Sequence, residues 1–276
     1  MITKKTFITS FILFFSCCSY GQKLIELWRT DPVLKTPESA LYDASAGVIY
    51  VSNINGNPKT KDGNGFISRL NPVGAVRNLN WVTGLNAPKG MAVYDHKLYV
   101  ADIDELVQID SASGKITGRF SAPGAIFLND VAAGNDGKIY VSDTGSNKIY
   151  VLHDQKMEIW TASSLLKNIN GLYAEDTCLY VGSDKIQCIS IKTKKITTIQ
   201  EKCGEIDGLT KDNAGHFVFS NWSGRIFYRA KGKITKMLET APEKINTADI
   251  SYARALRLLL VPTFKGGQVV AYQIEK

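Results

Sequence analysis

A three-residue motif recurs six times along the chain, each time at the start of a short apolar strand. The middle residues of successive motifs are 51, 40, 41, 37 and 41 residues apart. A period near 40 residues, with about four strands per repeat, is typical of the blades of a β-propeller. The sequence therefore predicts an all-β fold, a six-bladed β-propeller. The six motifs are Glu38-Ser39-Ala40, Lys89-Gly90-Met91, Asn129-Asp130-Val131, Asn170-Gly171-Leu172, Asp207-Gly208-Leu209 and Ala248-Asp249-Ile250.

The third repeat has the plainest strand pattern. Residues 128–133 form an apolar strand, and the turn residues Asn135-Asp136-Gly137 separate it from a second strand at 138–142. A polar stretch at 143–147 precedes a third strand at 148–152. Alternating β-branched and aromatic residues between tight turns indicate an antiparallel meander.

The two ends of the chain predict how the ring of blades closes. The last repeat has strands near 247–252, 256–261 and 267–274, which is one strand short of a full blade. An additional strand at 24–28 precedes the first repeat and has no partner of its own. We expect this N-terminal strand to pair with the last blade, because closure removes exposed strand edges.

Residues 1–21 have the pattern of a signal peptide. Lys4 and Lys5 give a positive start, residues 7–15 are apolar, and the small residues around 19–21 suit cleavage before Gln22. The apolar run is too short to span a bilayer, which needs about 20 residues. Export to the periplasm or the extracellular space is therefore the expectation.

The alternative to cleavage is lipid attachment at Cys17 or Cys18, since the residues before them loosely resemble a lipoprotein signal. In either case residues 22–276 are expected to form a single propeller domain, because no linker or low-complexity tract interrupts them. No transmembrane segment is expected, and the sequence does not indicate an oligomeric state.

The charge distribution limits which partners can be expected, and the cysteine positions limit which disulfides can form. The net charge is +7, but the basic residues are scattered rather than clustered, so no nucleic acid is expected as a partner. A small-molecule substrate or ligand is the expectation instead. Three cysteines follow the signal peptide, and Cys178 and Cys188 lie on neighbouring predicted strands. They could form a disulfide bond or, with Cys203, serve as small core residues.

The first residue of each motif should contribute to a ring around the channel, because equivalent positions of the blades face the same mouth. Carboxylate and carboxamide oxygens suit a hard cation such as calcium, and neither sulfur nor imidazole is among the ring residues. The alternative is that Lys89 balances Glu38 and Asp207 while the asparagines bond to loops. The ring consists of Glu38, Lys89, Asn129, Asn170, Asp207 and Ala248.

At these motifs the chain resembles the senescence marker protein (regucalcin)–gluconolactonase family, with likeness also to propellers of the NHL type. The resemblance follows the blades in order over nearly the whole mature chain. It implies that Glu38, Asn170 and Asp207 bind a divalent metal and that Asn129 helps to hold the metal or the substrate. The oxygen ligands make calcium the expected ion, with zinc, magnesium or manganese as alternatives. The resemblance also implies that Asp207 is the catalytic proton acceptor in lactone hydrolysis. The matching motifs are Pro37-Glu38-Ser39, Leu128-Asn129-Asp130, Asn170-Gly171-Leu172 and Asp207-Gly208-Leu209.

One residue departs from the family pattern. Phe127 stands where the family usually has an arginine that contacts a sugar substrate, and an aromatic ring cannot form bidentate hydrogen bonds. Asn129, Lys89 and Phe127 are the expected substrate contacts. Two functions remain open: an exported metal-dependent lactonase-like hydrolase, and a non-catalytic propeller that binds a ligand or protein around a structural calcium.

Two further features are expected at the same mouth. The first repeat carries about ten extra residues within 53–65, and long loops in compact domains are often functional. We expect this loop to cover the ring as a partial lid. Polar residues that end the second strands are expected to close turns there, namely Asp102, Asp143, Ser183 and Asn221.

Overall fold

The computed structural model describes residues 22–275 and arranges them as six four-stranded antiparallel sheets around a central channel. The prediction of a six-bladed β-propeller is confirmed. The predicted signal peptide, with Cys17 and Cys18, lies outside the described residues. Within residues 22–275 no helix has the length and apolar character needed to cross a membrane.

The strands are numbered in chain order, from the channel outwards within each blade. Blade 1 consists of β2 (Pro37–Asp43), β3 (Val48–Asn53), β4 (Gly65–Leu70) and β5 (Val76–Leu85). Blade 2 consists of β6 (Pro88–Tyr94), β7 (Lys97–Asp102), β8 (Glu105–Asp110) and β9 (Ile116–Ser121). Blade 3 consists of β10 (Leu128–Ala133), β11 (Ile139–Asp143), β12 (Lys148–His153) and β13 (Lys156–Ala162).

The remaining blades follow the same order. Blade 4 consists of β14 (Leu172–Glu175), β15 (Cys178–Gly182), β16 (Ile186–Ser190) and β17 (Ile196–Gln200). Blade 5 consists of β18 (Ile206–Lys211), β19 (Phe217–Asn221), β20 (Arg225–Ala230) and β21 (Lys233–Glu239). Blade 6 consists of β22 (Ser251–Ala253), β23 (Leu258–Pro262), β24 (Val269–Glu275) and β1 (Lys23–Arg29), with a 3₁₀ turn at Phe264–Gly266.

The N-terminal strand closes the ring, as predicted. Strand β1 is the outermost strand of blade 6 and pairs antiparallel with β24, from Lys23 opposite Glu275 to Arg29 opposite Val270. Each inner strand also contacts the inner strand of the next blade, and β22 of blade 6 contacts β2 of blade 1. The first and last segments of the domain therefore hold one another in place.

The hydrophobic core is divided among the six seams between neighbouring blades. Between blades 1 and 2, for example, buried Tyr50 and Ile67 pack with Leu98 and Val100. The same pattern recurs at the other five seams. Alternation along each strand sends side chains to both faces of its sheet, so every blade contributes to two seams.

The described cysteines have two fates. Cys178 on β15 and Cys188 on β16 form a disulfide bond between neighbouring strands, with their Cα atoms 5.8 Å apart. Cys203 is a free, buried thiol in the seam between blades 4 and 5. Of the two alternatives given by the sequence, the bridge therefore holds for the first pair and a core role for the third.

Candidate functional site

A cavity of about 460 Å³ lies at the mouth of the channel where the inner strands begin. All of the predicted metal, substrate and catalytic residues line it, although they come from five different blades. The fold thus brings together every residue that the sequence proposed for the site. They are Glu38, Lys89, Phe127, Asn129, Asn170 and Asp207.

Irregular pairing at the start of the inner strands places these side chains. Four ring residues lie inside the inner strands, at points where the register with the second strand shifts: Glu38, Lys89, Asn129 and Asp207. Asn170 instead precedes its strand. Such a bulge releases a residue from regular pairing and turns its side chain aside, here towards the mouth.

Polar side chains at the ends of the second strands fix the segments that lead into the site. Asp102 accepts hydrogen bonds from the backbone N–H of Asn86 at 2.8 Å and of Ala87 at 2.7 Å. Asp143 accepts one from the N–H of Phe127 at 2.9 Å and another from Gly145. The bond to Gly145 confirms the turn-closing role predicted for Asp143. Asp102 instead bonds to the segment that precedes β6, so for Asp102 that prediction is wrong. Both aspartates anchor the backbone that carries the site residues.

Glu38 is the ring residue whose bonding is most incomplete. Its side chain is buried, and its Oε2 atom has no hydrogen-bond partner within the described structure. Burial raises the pKa of Glu38 well above its usual value; the nearby carboxylates of Asp207 and Asp130 add to this, and Lys89 opposes it. A buried carboxylate with an unpaired oxygen needs a proton or a cation.

Asp207 and Asn170 meet across the seam between blades 5 and 4. The Nδ2 atom of Asn170 donates a hydrogen bond of 2.6 Å to Oδ1 of Asp207. Burial raises the pKa of Asp207 to about 7, against the lowering effect of that bond. Two of the proposed ligands are therefore within direct reach of each other.

Lys89 turns towards Phe127. Its Nζ atom donates a hydrogen bond of 2.9 Å to the backbone oxygen of Ala87 and lies 4.5 Å from the centre of the Phe127 ring. Burial lowers the pKa of Lys89 to about 8, although Glu38 works in the opposite direction. Within residues 22–275, Lys89 forms no direct salt bridge with Glu38 or Asp207, so the alternative in which it neutralises both carboxylates by contact is not the arrangement found.

Asn129 completes the polar floor of the cavity. Its Nδ2 atom donates a hydrogen bond of 3.3 Å to Oγ1 of Thr144, and Thr144 in turn donates to the backbone oxygen of Ile169 at 2.7 Å. Because its amide nitrogen is engaged by Thr144, Asn129 retains its carbonyl oxygen as a potential ligand.

A second layer of acids lies one residue further along the inner strands. Asp130 is buried, and its oxygens accept 2.6 Å hydrogen bonds from the backbone N–H groups of Leu172 and Val131. Asp249, also buried, accepts a 2.6 Å bond from the hydroxyl of Ser39. Burial raises the pKa of Asp130 to about 7 and that of Asp249 well above its usual value. Both residues are the middle members of their motifs, and they were not among the predicted site residues.

The oxygen atoms at the mouth are of the chemical type that a hard divalent cation prefers. Across residues 22–275 no cluster of three or more histidine, cysteine, aspartate or glutamate side chains has the arrangement of a metal site. The proposed ligands instead combine the two carboxylates of Glu38 and Asp207 with the carboxamides of Asn129 and Asn170. The unpaired Oε2 of Glu38 is the observation that matches a missing positive charge.

The upper wall of the cavity is apolar, which the sequence did not predict apart from Phe127. It is built from loops of blades 1, 3, 5 and 6 and from Ile206 at the start of β18. Trp222 is 43% exposed and stands edge-on to Phe264, with ring centres 5.6 Å apart. The 53–65 loop contributes to this wall, so it lies over the predicted mouth. The wall consists of Ile54, Pro58, Phe127, Ile206, Trp222 and Phe264.

Comparisons with known proteins show a similarity of fold and nothing more specific. No family model matches the chain, and no curated protein matches it in sequence. Solved structures do match its fold over most of its length.

Among them is a catalytically inactive variant of virginiamycin B lyase from Staphylococcus aureus with quinupristin, at 13% identity and a TM-score of 0.63. That alignment covers 92% of this chain and 99% of the lyase. A streptogramin B lyase matches at 12% identity with a TM-score of 0.65, covering 92% and 98%. A Bacteroides thetaiotaomicron protein of unknown function matches at 11% identity with a TM-score of 0.70, covering 92% and 76%. At these identities the likeness concerns the propeller architecture.

Proposed function

We propose that this protein is an exported, metal-dependent hydrolase that acts on lactones or related esters at the mouth of the propeller channel. The observation that carries the proposal is the buried carboxylate of Glu38, whose Oε2 lacks a partner in the same cavity as Asp207, Asn129 and Asn170. Burial of several ionised acids costs stability unless they bind protons or a cation.

Glu38, Asn170, Asp207 and Asn129 hold the divalent cation in this proposal. Oxygen-only ligands favour calcium, with magnesium, manganese or zinc as other possible ions. When bound, the cation supplies positive charge that polarises the acyl carbonyl of a substrate.

The remaining chemistry falls to the chain's own residues. Asp207 accepts a proton from the water that attacks the acyl carbon, and it returns this proton to the alkoxide released when the ring C–O bond breaks. Lys89 has three N–H donors, of which one bonds to Ala87, so it can donate to the oxygen that becomes negative. In this proposal Asp207 acts as the general base, and Lys89 stabilises the negative charge that develops on the carbonyl oxygen.

Three further observations support the proposal. The motifs at Glu38, Asn129, Asn170 and Asp207 resemble those of the regucalcin–gluconolactonase family. The solved structures of similar fold include lyases, so the architecture is used by enzymes. The Cys178–Cys188 disulfide suits an oxidising compartment outside the cytoplasm.

The test combines metal analysis with a panel of lactones, using protein purified without a chelator. We expect a divalent cation near one equivalent, and a lower Tm after chelation, because an ion that binds only the folded state stabilises it. Asp207→Asn should retain an oxygen ligand and lose about 10²-fold or more in kcat. Asp154→Asn, at an exposed site away from the cavity, is the matched control.

The outcome separates the two functions considered. Bound metal without turnover on any lactone would support the second candidate, a non-catalytic propeller with a structural calcium, which Phe127 at the family's arginine position also favours. No bound metal, together with unchanged kcat in Asp207→Asn, would overturn both.

A further inference from the structure

The cavity at the mouth has two chemically different halves. The charged and amide groups lie at its floor, where the inner strands begin, whereas the wall above them is formed by aliphatic and aromatic side chains. A cavity of about 460 Å³ falls within the range of sites that enclose small organic ligands. The division predicts a ligand with one polar reacting end and an apolar body.

The aromatic part of the wall is held in place before any ligand arrives. The backbone of Phe127 is fixed by its N–H bond to Asp143 and by a 3.0 Å bond from the N–H of Thr144 to its oxygen. The backbone oxygen of Trp222 accepts a 2.9 Å bond from Nδ2 of Asn246. Because the backbone that carries these two rings is already fixed, a ligand that contacts them has less of the chain to order.

Phe264 ties this wall to the opposite side of the mouth. It packs against a small cluster of Ile54, Ala87 and Ile103 from blades 1 and 2, and its ring meets Trp222 of blade 5. Trp222, Phe264 and Ile54 therefore form one continuous apolar surface that runs from blade 5 through blade 6 to blade 1. The partial exposure of Trp222 leaves part of that surface open to a ligand.

The same wall offers little to a polyhydroxylated sugar. The Phe127 ring faces the ammonium of Lys89 at 4.5 Å and that of Lys59 at 5.5 Å, which is a cation–π arrangement rather than a hydrogen-bonding site. Sugar hydroxyls buried against the wall would lose water without gaining partners there, at a cost in binding free energy. Thr144, Asn168 and Glu205 are the polar exceptions on the rim.

We propose that the ligand of this site is a lactone or ester with an apolar alkyl or aryl body, held by Trp222, Phe264 and Phe127 while its carbonyl meets the polar floor. The assignment of a hydrolysable carbonyl rests on the proposed function, whereas the choice of an apolar body rests on the wall alone. Trp222 and Phe264 are then specificity-determining residues.

The experiment compares γ-butyrolactone, γ-octalactone and γ-decalactone with glucono-δ-lactone on the full-length mature protein. We expect kcat/KM to rise with alkyl length by up to about fourfold for each methylene that becomes buried. Trp222→Ala should lower kcat/KM for γ-decalactone by about tenfold or more and leave γ-butyrolactone within about twofold. Ile159→Ala, which removes an exposed apolar side chain on the outer strand of blade 3, is the control and should change neither.

A binding measurement keeps the two proposals separable. The lactam analogue of γ-decalactone cannot be turned over readily, so its affinity and its effect on Tm report the apolar wall without catalysis. Tight lactam binding that is lost in Trp222→Ala, with no lactone hydrolysed, would refute the proposed hydrolase but support the apolar ligand class. Hydrolysis of all lactones at rates independent of chain length, or preference for glucono-δ-lactone, would overturn the apolar class while leaving a hydrolase. Equal lactam affinity in Trp222→Ala and Ile159→Ala would overturn it as well.

Discussion

Two layers of the channel lie one residue apart along the inner strands and differ sharply in chemistry. The ring layer at the mouth contains Glu38 and Lys89, whose polar groups are incompletely bonded inside the protein. In the layer beneath, Asp130 and Asp249 accept well-formed hydrogen bonds from their surroundings. The lower layer therefore holds the blades together, whereas the ring layer is the one that binds the ligand in the proposed function.

Serines on the second strands accept hydrogen bonds from the backbone N–H groups of the lower layer. The bulges release backbone N–H groups at Ser39, Asp130 and Gly208, and each donates a 2.9 Å hydrogen bond to a serine hydroxyl. The acceptors are Ser52, Ser142 and Ser220, all fully buried. The irregular backbone that exposes the ring residues is thus stabilised one layer below.

The largest loss of stability is expected when a side chain is added to a glycine of the lower layer. A Cβ atom added at Gly208 would collide with the backbone nitrogen of Ile250 in the next blade, where no flexible side chain can give way. Gly208→Ala should therefore lower the free energy of unfolding by about 3 kcal/mol, measured by urea denaturation. Gly215→Ala, which meets no atom but has a φ of +79°, should cost only about 1 kcal/mol. If both variants lost the same free energy of unfolding, Gly208 would not be needed for the close approach of the two blades.

The second prediction compares the loss of one acidic side chain from each layer. Asp130→Ala leaves the buried N–H groups of Leu172 and Val131 without acceptors, so it should destabilise the fold by about 2 kcal/mol or more. Glu38→Gln replaces a buried carboxyl group whose Oε2 is unpaired. In the presence of a chelator, the free energy of unfolding should therefore stay the same or rise slightly. In calcium, Glu38→Gln should lose the rise in Tm that the metal gives. If Glu38→Gln instead destabilises the chelated protein as much as Asp130→Ala does, the proposed difference between the layers is wrong.

The pH dependence of the metal-free protein gives a third, smaller effect. Burial raises the pKa of both Asp130 and Asp207 to about 7, whereas an unfolded aspartate titrates near about 4. Between those values the folded state holds protons that the unfolded state has released, so stability should fall as the pH rises from about 4 to about 7.

The measurement is the urea midpoint across that range in chelator and in excess calcium. Calcium should flatten the slope, because a bound cation replaces the protons that the carboxylates lose. Asp130→Asn should reduce the slope in chelator. A chelated protein that becomes more stable as the pH rises would show that these acids are already ionised and paired without metal.

The sequence predicted the ring but not its wall, and the difference has a physical cause. Glu38, Asn129, Asn170 and Asp207 occupy equivalent positions of a repeat, so symmetry alone brings them to one mouth. Trp222 and Phe264 belong to loops that differ from blade to blade, and their meeting depends on how blades 5 and 6 are packed.

The bulges were missed for a related reason. Strand propensity and alternation place an inner strand correctly, yet they do not specify where its pairing with the second strand slips. The serine-polar pairs Ser52-Asn53, Ser142-Asp143 and Ser220-Asn221 were a usable sequence pattern for three of the four bulges, because each of these three has a buried serine acceptor on the neighbouring strand. The bulge in β6 faces Ala101 instead. Of the six residues in the three pairs, only Asp143 and Asn221 were among the predicted turn-closing side chains.

The smallest effect on stability is expected from the loop that extends over the ring layer. Its base is closed by a 2.9 Å hydrogen bond from Nδ2 of Asn55 to the backbone oxygen of Asn64, and most side chains between them are exposed. Replacing residues 56–63 with a short Asn-Gly turn should therefore leave Tm within about 2 °C. It should also weaken binding of the γ-decalactone lactam by about threefold to tenfold, because Pro58 lines the cavity.

A milder variant tests whether the loop acts as a movable cover. Lys61 forms a salt bridge of 2.6 Å with Asp104 of blade 2, which fastens the loop across the neighbouring blade. Lys61→Ala keeps Pro58 in the loop and removes only this exposed contact, so it should not change Tm measurably. A partial lid predicts faster association and dissociation of the lactam in Lys61→Ala, with affinity closer to the original protein than in the shortened loop. Identical kinetics in all three proteins would show that the loop, although it lies over the mouth, does not control access to it.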